Sequence, residues 1–252
     1  MSSIVLITGA TSGFGKSCAQ LFAEKGHRLI LIGRRADRLE KLAATFRQSY
    51  NTESYLLPID VRNQEAITTG ISNLPSSWQD VAILINNAGL AAGRDYFEEA
   101  KLEDWNEMID TNVKGFLYVS QAVAKGMATR KKGHIINIGS IAGRVVYEKG
   151  NAYCATKYAV DALNQSMRID LLRHGIKVTA INPGAAETEF SLVRFKGDQE
   201  TAASVYTGMK PLTPEDVAEI IYYTTTLPAH VCINDLTITC LQQADSIYIR
   251  RK

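Results

Sequence analysis

Tyr153 and Lys157 lie four residues apart, and Ser140 precedes Tyr153 by thirteen residues. On a helix, two side chains at this spacing share one face, one turn apart. A phenol ordinarily ionises near pH 10, and a fixed ammonium beside it lowers that pKa. With a serine hydroxyl to orient a substrate oxygen, these residues can move a proton to or from an alcohol or a carbonyl. The same spacing occurs on ordinary exposed helix faces, so its meaning depends on the rest of the chain.

A glycine-rich turn lies between an apolar strand predicted at 4–7 and an amphipathic helix that ends near Gly26. Glycines let the backbone approach a pyrophosphate, and a helix N-terminus directs free N–H groups and its positive dipole end towards it. The alternative is that the glycines only form a tight turn. The residues of this predicted dinucleotide-binding turn are Gly9, Ala10, Thr11, Ser12, Gly13, Phe14 and Gly15.

Arg34 and Arg35 follow the next predicted strand, at 29–33. At this point an NAD-binding fold carries an Asp or Glu that accepts hydrogen bonds from the ribose hydroxyls. Guanidinium groups cannot accept, but they form charge-assisted bonds to a 2′-phosphate. The pair therefore favours NADP over NAD. The alternative is that Arg35 and Arg38 are surface charges at the start of a helix over 37–48, and we expect this to hold for Arg38.

Three further strands end in residues that could bind a ligand. Open parallel sheets bind their ligands at this edge, where the carboxyl ends of the strands lie. The first, at 54–59, is followed by Asp60 and Val61. The Asp60 carboxylate can accept from an adenine amino group, or cap a helix predicted over 62–74, or do both. Ser140 ends the strand at 134–138. After the strand at 81–85 come two amides, which can brace strands or hold a ligand, and two small residues, in the order Asn86, Asn87, Ala88 and Gly89.

Two long helices are predicted in the middle of the chain, at 102–129 and 151–173. Asn112 interrupts the apolar stripe of the first, which we expect to bend near Asn112 or Gly115. An interior polar residue at such a point usually has a defined partner.

After the sixth strand, Pro183 and Gly184 lead into an irregular segment, 185–212, whose length predicts a small mobile lid. A helix from Pro214 and a strand at 236–239 complete the chain.

Composition narrows the class of protein. The chain has 252 residues, 46% of them hydrophobic and 21% charged, which suits one large domain over 1–252. A net charge of +2 indicates neither nucleic acid nor membrane surface as a partner. The spacing of the four cysteines fits no zinc pattern, so we expect no metal site. With neither a secretory signal nor an apolar run long enough to span a membrane, we expect a cytoplasmic protein.

Taken together, these motifs resemble those of the short-chain dehydrogenase/reductase superfamily, in order and in approximate spacing, from end to end of the chain. The residues that carry the resemblance are Thr8-Gly9-x-x-x-Gly13-x-Gly15, Asn86-Asn87-Ala88-Gly89, Asn112, Ser140, Tyr153-x-x-x-Lys157 and Pro183-Gly184-x-x-x-Thr188.

The resemblance implies an α/β fold: a Rossmann-type, doubly wound sheet of seven parallel strands with helices on both faces. It implies a homo-oligomer, with a tetramer favoured. It also implies that Tyr153 is the acid/base and that Ser140 orients the substrate oxygen. Lys157 would bind the nicotinamide ribose and lower the pKa of Tyr153, and Asn112 would hold a water of the proton relay. The cofactor contacts implied near the lid are those of Pro183, Gly184 and Thr188.

A narrower resemblance is to the NADP-dependent 3-hydroxy acid dehydrogenases, the branch that includes serine 3-dehydrogenase and L-allo-threonine dehydrogenase. It implies oxidation of the β-hydroxyl of serine, allo-threonine and related 3-hydroxy acids, and the reverse reduction. The stretch 240–243 follows that branch less closely. The stretches that carry the resemblance include Gly33-Arg34-Arg35, Asp60-Val61-Arg62-Asn63, Asp104-Trp105, Thr188-Glu189-Phe190-Ser191 and Val193-Arg194-Phe195-Lys196-Gly197-Asp198.

The charges of such substrates suggest partners in the lid. Arg194 could bind the carboxylate, and Glu187 could bind the ammonium of an amino acid. The alternative for each is a salt bridge or a solvated charge. Two other functions stay open: a broad-specificity carbonyl reductase with a different lid, and a dinucleotide-dependent binding protein without turnover.

Overall fold

A single parallel sheet forms the centre of the molecule in the computed structural model, which describes residues 2–252. Its seven strands are β1 (Ile4–Thr8), β2 (Arg28–Ile32), β3 (Ser54–Leu57), β4 (Val81–Asn86), β5 (His134–Ile138), β6 (Lys177–Pro183) and β7 (Asp235–Ile238). They follow the order β3-β2-β1-β4-β5-β6-β7, and every neighbouring pair is parallel. The predicted doubly wound fold is thereby confirmed.

Helices cover both faces of the sheet because the strands are apolar on both sides. The helices are α1 (Gly13–Glu24), α2 (Ala36–Tyr50), α3 (Gln64–Ser72), α4 (Leu102–Ile109), α5 (Phe116–Arg130), α6 (Asn151–Leu172), α7 (Glu189–Arg194), α8 (Gln199–Ser204) and α9 (Pro214–Thr226). Along β1, Val5 and Ile7 pack with the layer that contains α1 and α9, whereas Ile4 and Leu6 pack with the layer that contains α3 and α5. None of these helices is long and apolar enough to cross a membrane.

The long helix predicted over 102–129 is divided. A π-helical segment, Asp110–Gly115, separates α4 from α5 and contains both residues at which a bend was expected. Gly115 allows a close approach there, since a Cβ on it would lie 2.8 Å from Cγ2 of Val61. The segment therefore lets the helix pass against the loop after β3 while Asn112 turns into the interior.

Two local expectations were wrong. Asn63, rather than Asp60, caps α3, because the Asn63 side chain accepts from the N–H of Ala66 at 3.0 Å. The segment 185–212 is not irregular, since α7 and α8 occupy much of it. Each begins at a capping side chain, which accounts for helices too short to show an apolar stripe: the hydroxyl of Thr188 accepts from Phe190 N–H, and the carboxylate of Asp198 accepts from Thr201 N–H.

A chain of buried amides crosses the sheet below the carboxyl ends of its strands. The Asn86 amide on β4 donates to the Ser120 hydroxyl on α5 at 2.8 Å and to the Asn137 side-chain oxygen on β5 at 3.1 Å. The Asn137 amide in turn donates to Asn164 on α6 at 2.9 Å. Because buried polar groups need partners, this chain fixes two strands and two helices relative to one another.

His134 lies buried at the opposite end of β5, with Nε2 2.8 Å from the Thr179 hydroxyl. Burial, assisted by the charge of Lys177, lowers its pKa from 6.5 to about 4. The folded protein therefore binds fewer protons than the unfolded chain between these pH values, and stability is lost as the pH falls through that window.

We expect His134 to contribute a loss of about 3 kcal/mol in the free energy of unfolding between pH 6.5 and pH 4. His134→Gln should flatten that part of the pH profile, as measured by urea unfolding at several pH values. His230→Gln, at an exposed position, is the control and should keep the wild-type slope. An unchanged slope in His134→Gln would contradict the assignment.

Candidate active site

The carboxyl ends of β1, β4, β5 and β6 surround a cavity of about 360 Å³. The structure brings most of the predicted residues to its wall: Gly9, Ser12, Gly13, Phe14, Asn87, Ala88, Gly89, Ser140, Tyr153, Lys157, Pro183, Gly184, Thr188 and Arg194. The other predicted residues lie outside the wall: Ala10, Thr11, Gly15, Arg34, Arg35, Asp60, Val61, Asn112 and Glu187.

The glycine turn is shaped by contacts that exclude side chains. Gly9 has φ +65°, and a Cβ on it would lie 2.8 Å from Nδ2 of Asn87. A Cβ on Gly15 would collide with the carbonyl oxygen of Gly9. Gly13 has φ +49° and lies against Thr188, the residue that caps α7. The turn thus offers bare backbone at the N-terminus of α1, and it fits a dinucleotide pyrophosphate.

Asn87 holds this turn in place. Its amide donates to the carbonyl oxygen of Thr8 at 2.9 Å and to that of Gly9 at 3.3 Å. The Thr8 hydroxyl accepts from the N–H groups of Asn87 and Ala88 at 3.0 and 2.9 Å. Of the two roles left open for the amides at the end of β4, bracing is the one seen for Asn86 and Asn87.

The predicted catalytic residues lie together between β5 and α6. Lys157 is buried, and its Nζ donates to the carbonyl oxygen of Ile138 at 2.9 Å and lies 6.0 Å from the centre of the Tyr153 ring. Ser140 follows β5, and its Oγ accepts from the N–H of Ala142 at 3.1 Å. The Ser140 hydroxyl is also close enough to the Tyr153 phenol to lower its pKa.

The net pKa of Tyr153 is nevertheless above that of a free phenol. Burial is the main cause, Tyr147 adds to it, and the hydrogen bond with Ser140 and the charge of Arg194 oppose it. Burial also lowers the pKa of Lys157 to about 8. The expectation that Lys157 lowers the pKa of Tyr153 is therefore not met by the protein alone. Further positive charge next to the phenol is needed to reverse the effect of burial.

Asn112 lies behind Gly89, outside the cavity wall. Its Oδ1 accepts from the N–H of Leu90, and its Nδ2 donates to the carbonyl of Leu90, each at 2.8 Å, and to the hydroxyl of Thr156 at 3.1 Å. The expected defined partners are thus present, and they join the π-helical segment to α6. Both amide hydrogens of Asn112 already have protein acceptors. A bound water at Asn112 stays a prediction.

The arginines after β2 lie beside the glycine turn. Arg34 is exposed. Arg35 donates to the hydroxyl of Thr11 from Nε at 3.2 Å and from Nη2 at 2.9 Å. Arg35 and Arg38 both form ion pairs with Glu189 on α7, at 3.2 and 3.0 Å. Arg38, expected to be a surface charge at the start of a helix, is exposed in the first turns of α2 and is paired there with Glu189.

Asp60 lies near the same edge with its carboxylate already engaged. Arg62 binds it through a fork, with 2.7 Å between Nη2 and Oδ2, and its backbone N–H donates to Oδ1 at 3.0 Å. Burial alone would raise the pKa of Asp60, but the bonds from Arg62 outweigh burial, so the net pKa is lowered. A contact between Asp60 and an adenine amino group stays a prediction, and it would share a carboxylate that Arg62 holds.

Helix α7 lines the cavity beside the Tyr153 phenol. Arg194, at the end of α7, donates from Nη2 to the Tyr147 hydroxyl at 2.9 Å, and its guanidinium carbon lies 5.3 Å from the centre of the Tyr153 ring. Its backbone carbonyl accepts from Gly93 N–H at 3.0 Å. Glu187, by contrast, is exposed and outside the cavity wall. Its position gives no support to a role in binding a substrate ammonium.

Sequence reasoning missed Tyr147 and Arg94, which also line the cavity. The signal for Tyr147 was its place between Ser140 and Tyr153, since a short connection between two active residues must stay near both. Arg94 stands in the loop after β4, close to the ligand-binding edge. Neither belongs to a motif, so periodicity and spacing did not select them.

Comparisons with known proteins agree with this geometry. The model of the short chain dehydrogenase family matches residues 3–198. The NADP-dependent 3-hydroxy acid dehydrogenase YdfG of Escherichia coli (strain K12) is 46% identical over 242 residues, 96% of each chain. Sulfoacetaldehyde reductase 2 of Chromohalobacter salexigens is 45% identical over 249 residues, 98% of each. A closed form of serine dehydrogenase complexed with NADP⁺ has a TM-score of 0.92 and 45% identity, covering 99% of this chain and 100% of its own.

A doubly wound sheet with a bare-backbone turn and a buried tyrosine–lysine pair defines a nucleotide-dependent oxidoreductase. The chain belongs to the short-chain dehydrogenase family.

Tyr153→Phe should reduce turnover to below about 1% of wild type, because a positioned acid/base contributes roughly 10²–10⁴-fold. Dinucleotide binding, measured by calorimetry, should stay within about threefold of wild type, since the variant loses one hydroxyl and no charge. Tyr158→Phe, an exposed tyrosine on the same helix, is the matched control and should retain activity. Turnover well above 1% in Tyr153→Phe would remove Tyr153 as the main acid/base.

Proposed function

We propose that the protein is an NADP-dependent dehydrogenase that interconverts 3-hydroxy acids, including β-hydroxy amino acids such as serine and allo-threonine, with their 3-oxo forms. The observation that carries this proposal is the guanidinium of Arg194 within the cavity, 5.3 Å from the ring of Tyr153. A 3-hydroxy acid has its carboxylate two bonds from the carbon that reacts. One arginine beside the phenol can therefore hold the acid end while the hydroxyl meets Tyr153 and Ser140.

In this mechanism Ser140 donates a hydrogen bond to the substrate oxygen and Tyr153 exchanges a proton with it. When bound, NADP⁺ supplies the hydride acceptor and a positive nicotinamide ring. Lys157, with a pKa of about 8, remains largely protonated at neutral pH and keeps a positive charge beside the phenolate. Arg194 both binds the substrate carboxylate and opposes the rise in the pKa of Tyr153.

The cofactor part of the proposal rests on the bare backbone of the glycine turn and on the two arginines beside that turn. The pyrophosphate would lie on the backbone of the turn at the N-terminus of α1, and Arg34 and Arg35 would bind the 2′-phosphate. The nicotinamide would lie on Ala88 and Gly89, near Lys157. The remaining predicted contacts come from Pro183, Gly184 and Thr188, which line the same cavity. Relatives named for NADP dependence support this choice.

A second candidate is the reduction of a short aldehyde that carries a sulfonate. The relative named sulfoacetaldehyde reductase 2 acts on a substrate whose sulfonate is also two bonds from the reacting carbon. Arg94 lines the cavity together with Arg194, and two guanidinium groups can share the three oxygens of a sulfonate. A broad carbonyl reductase without an acidic substrate is less well supported, because it leaves Arg194 beside the phenol without a partner in the substrate.

We also propose a single domain over 1–252, with residues 185–212 as a lid, that assembles into a homo-oligomer, a tetramer in preference to a dimer, in the cytoplasm. Large apolar side chains on the outer faces of α5 and α6 favour assembly: Leu117, Ile169 and Leu172 are 40%, 74% and 75% exposed. Patches of this kind commonly mark contacts between subunits.

Arg34→Asp should weaken NADP⁺ binding by about 10- to 100-fold, as charge-assisted bonds to a phosphate contribute roughly 1.5–3 kcal/mol. Binding of NAD⁺, which has no 2′-phosphate, should be little changed or improved. Arg47→Asp, an exposed arginine in the last turn of α2, the helix that follows Arg34, is the control for net charge. An equal loss for both dinucleotides would contradict a phosphate site at Arg34.

Arg194→Gln should reduce kcat/KM for 3-hydroxybutyrate and for L-serine by about 10²-fold, in line with the loss of a partner from a buried charged pair. A simple secondary alcohol should be affected far less. Assays with L-allo-threonine, 3-hydroxybutyrate, a simple alcohol and sulfoacetaldehyde, in the direction that suits each, distinguish the candidates. Turnover of alcohols alone would replace this proposal with the broad carbonyl reductase, and tight NADPH binding without turnover would indicate a binding protein.

A further inference from the structure

Glu189 is the first residue of α7 and Arg194 is the last. The Glu189 carboxylate contacts the arginines beside the glycine turn. It accepts from Nη1 of Arg38 at 3.0 and 3.2 Å and from Nη1 of Arg35 at 3.2 Å. Nε and Nη2 of Arg35 donate to the hydroxyl of Thr11 in the glycine turn. A carboxylate therefore already holds Nη1 of both Arg35 and Arg38 beside the turn.

This site is the one at which the proposed function places the 2′-phosphate. A phosphate and a carboxylate use the same planar N–H donors of arginine. The phosphate carries the greater charge and has three acceptor oxygens, whereas the carboxylate has two. The two anions also repel each other, so they cannot share the arginines without cost.

From this juxtaposition we propose that Glu189 is a built-in competitor for the 2′-phosphate of NADP, and that it sets how strongly the protein prefers NADP to NAD. Arg38 becomes a third arginine of the phosphate site. NADP must displace Glu189 from Arg35 and Arg38, whereas NAD has no group that does so. The inference rests on the proposed function, because it takes NADP as the cofactor.

The contacts of Glu189 are suited to exchange. The side chains of Arg35, Arg38 and Glu189 are 39%, 44% and 46% exposed, so water screens each ion pair and each contributes little to stability. Burial would raise the pKa of Glu189, but the hydrogen bonds from Arg35 and Arg38 outweigh it and lower the pKa. The carboxylate is thus charged at neutral pH, which competition with a phosphate requires.

The test is calorimetric titration of wild type, Glu189→Gln and a matched control with NADP⁺, NAD⁺, adenosine 2′,5′-bisphosphate and AMP. The last two ligands have no nicotinamide. Their affinities therefore report the contact with the 2′-phosphate without any effect of the lid on the nicotinamide ring. Glu187→Gln is the control, because it removes the same charge two residues away, at an exposed position outside the cavity wall.

We expect Glu189→Gln to bind NADP⁺ and the bisphosphate about 3- to 10-fold more tightly, from the release of two exposed ion pairs. Its affinity for NAD⁺ and for AMP should change less than about twofold, and Glu187→Gln should match wild type. Weaker NADP⁺ binding would mean that Glu189 orients the arginines, and this would overturn the proposal. So would unchanged NADP⁺ binding, or equal tightening of NADP⁺ and NAD⁺.

The same titrations separate this inference from the proposed function. If wild type binds NADP⁺ and NAD⁺ equally well, the assignment of NADP as cofactor fails, and the competitor has nothing to compete with. If wild type prefers NADP⁺ but Glu189→Gln leaves that preference unchanged, the role of Glu189 alone is rejected.

Discussion

The chain of buried amides through Asn86, Asn137 and Asn164 is the interaction on which the site most depends. β4 leads into the residues that clamp the glycine turn, β5 into Ser140, and α6 carries Tyr153 and Lys157. Hydrophobic packing alone would let these elements slide by fractions of an ångström at small cost. Amides buried in a low-dielectric interior do not tolerate such shifts, because each lost bond leaves an unpaired polar group. The polar chain therefore sets the positions that proton transfer needs.

Above this layer the protein presents positive charge and N–H groups at separate points of one cavity edge. Backbone N–H groups gather at the N-terminus of α1, guanidinium groups stand after β2, and another guanidinium reaches in from the lid. Each point suits a different anionic part of the reactants. Burial raises the pKa of the Tyr153 phenol in the protein alone. In the mechanism proposed above, the positive nicotinamide ring of the oxidised cofactor would oppose that rise, so that proton transfer would depend on the bound cofactor.

The sheet and the motif residues were predictable because their signals are local or strongly periodic. Buried parallel strands give unbroken apolar runs. The glycine turn and Ser140 stand at strand ends, Asn112 at a break in a helix pattern, and Tyr153 in the first turn of a long helix. What the sequence did not reveal depends on contacts between distant residues. Tyr147 meets Arg194, and Arg38 meets Glu189, across gaps that no spacing rule spans. Burial of the Tyr153 ring, which also depends on distant packing, raises the phenol pKa in the protein alone, and the lowering expected in the working site stays a prediction.

Helix α7 joins two of these distant contacts, since Glu189 and Arg194 are its first and last residues. Six residues of α-helix span about 9 Å, so the contacts of Glu189 with Arg35 and Arg38 and the contact of Arg194 with Tyr147 lie one short rigid rod apart. Each residue adds 100° of rotation as well as length. The length of α7 therefore matters more than its composition, because one added or deleted residue would rotate one end away from its partner. Substitutions at the exposed Leu192 and Val193 would leave both ends aligned.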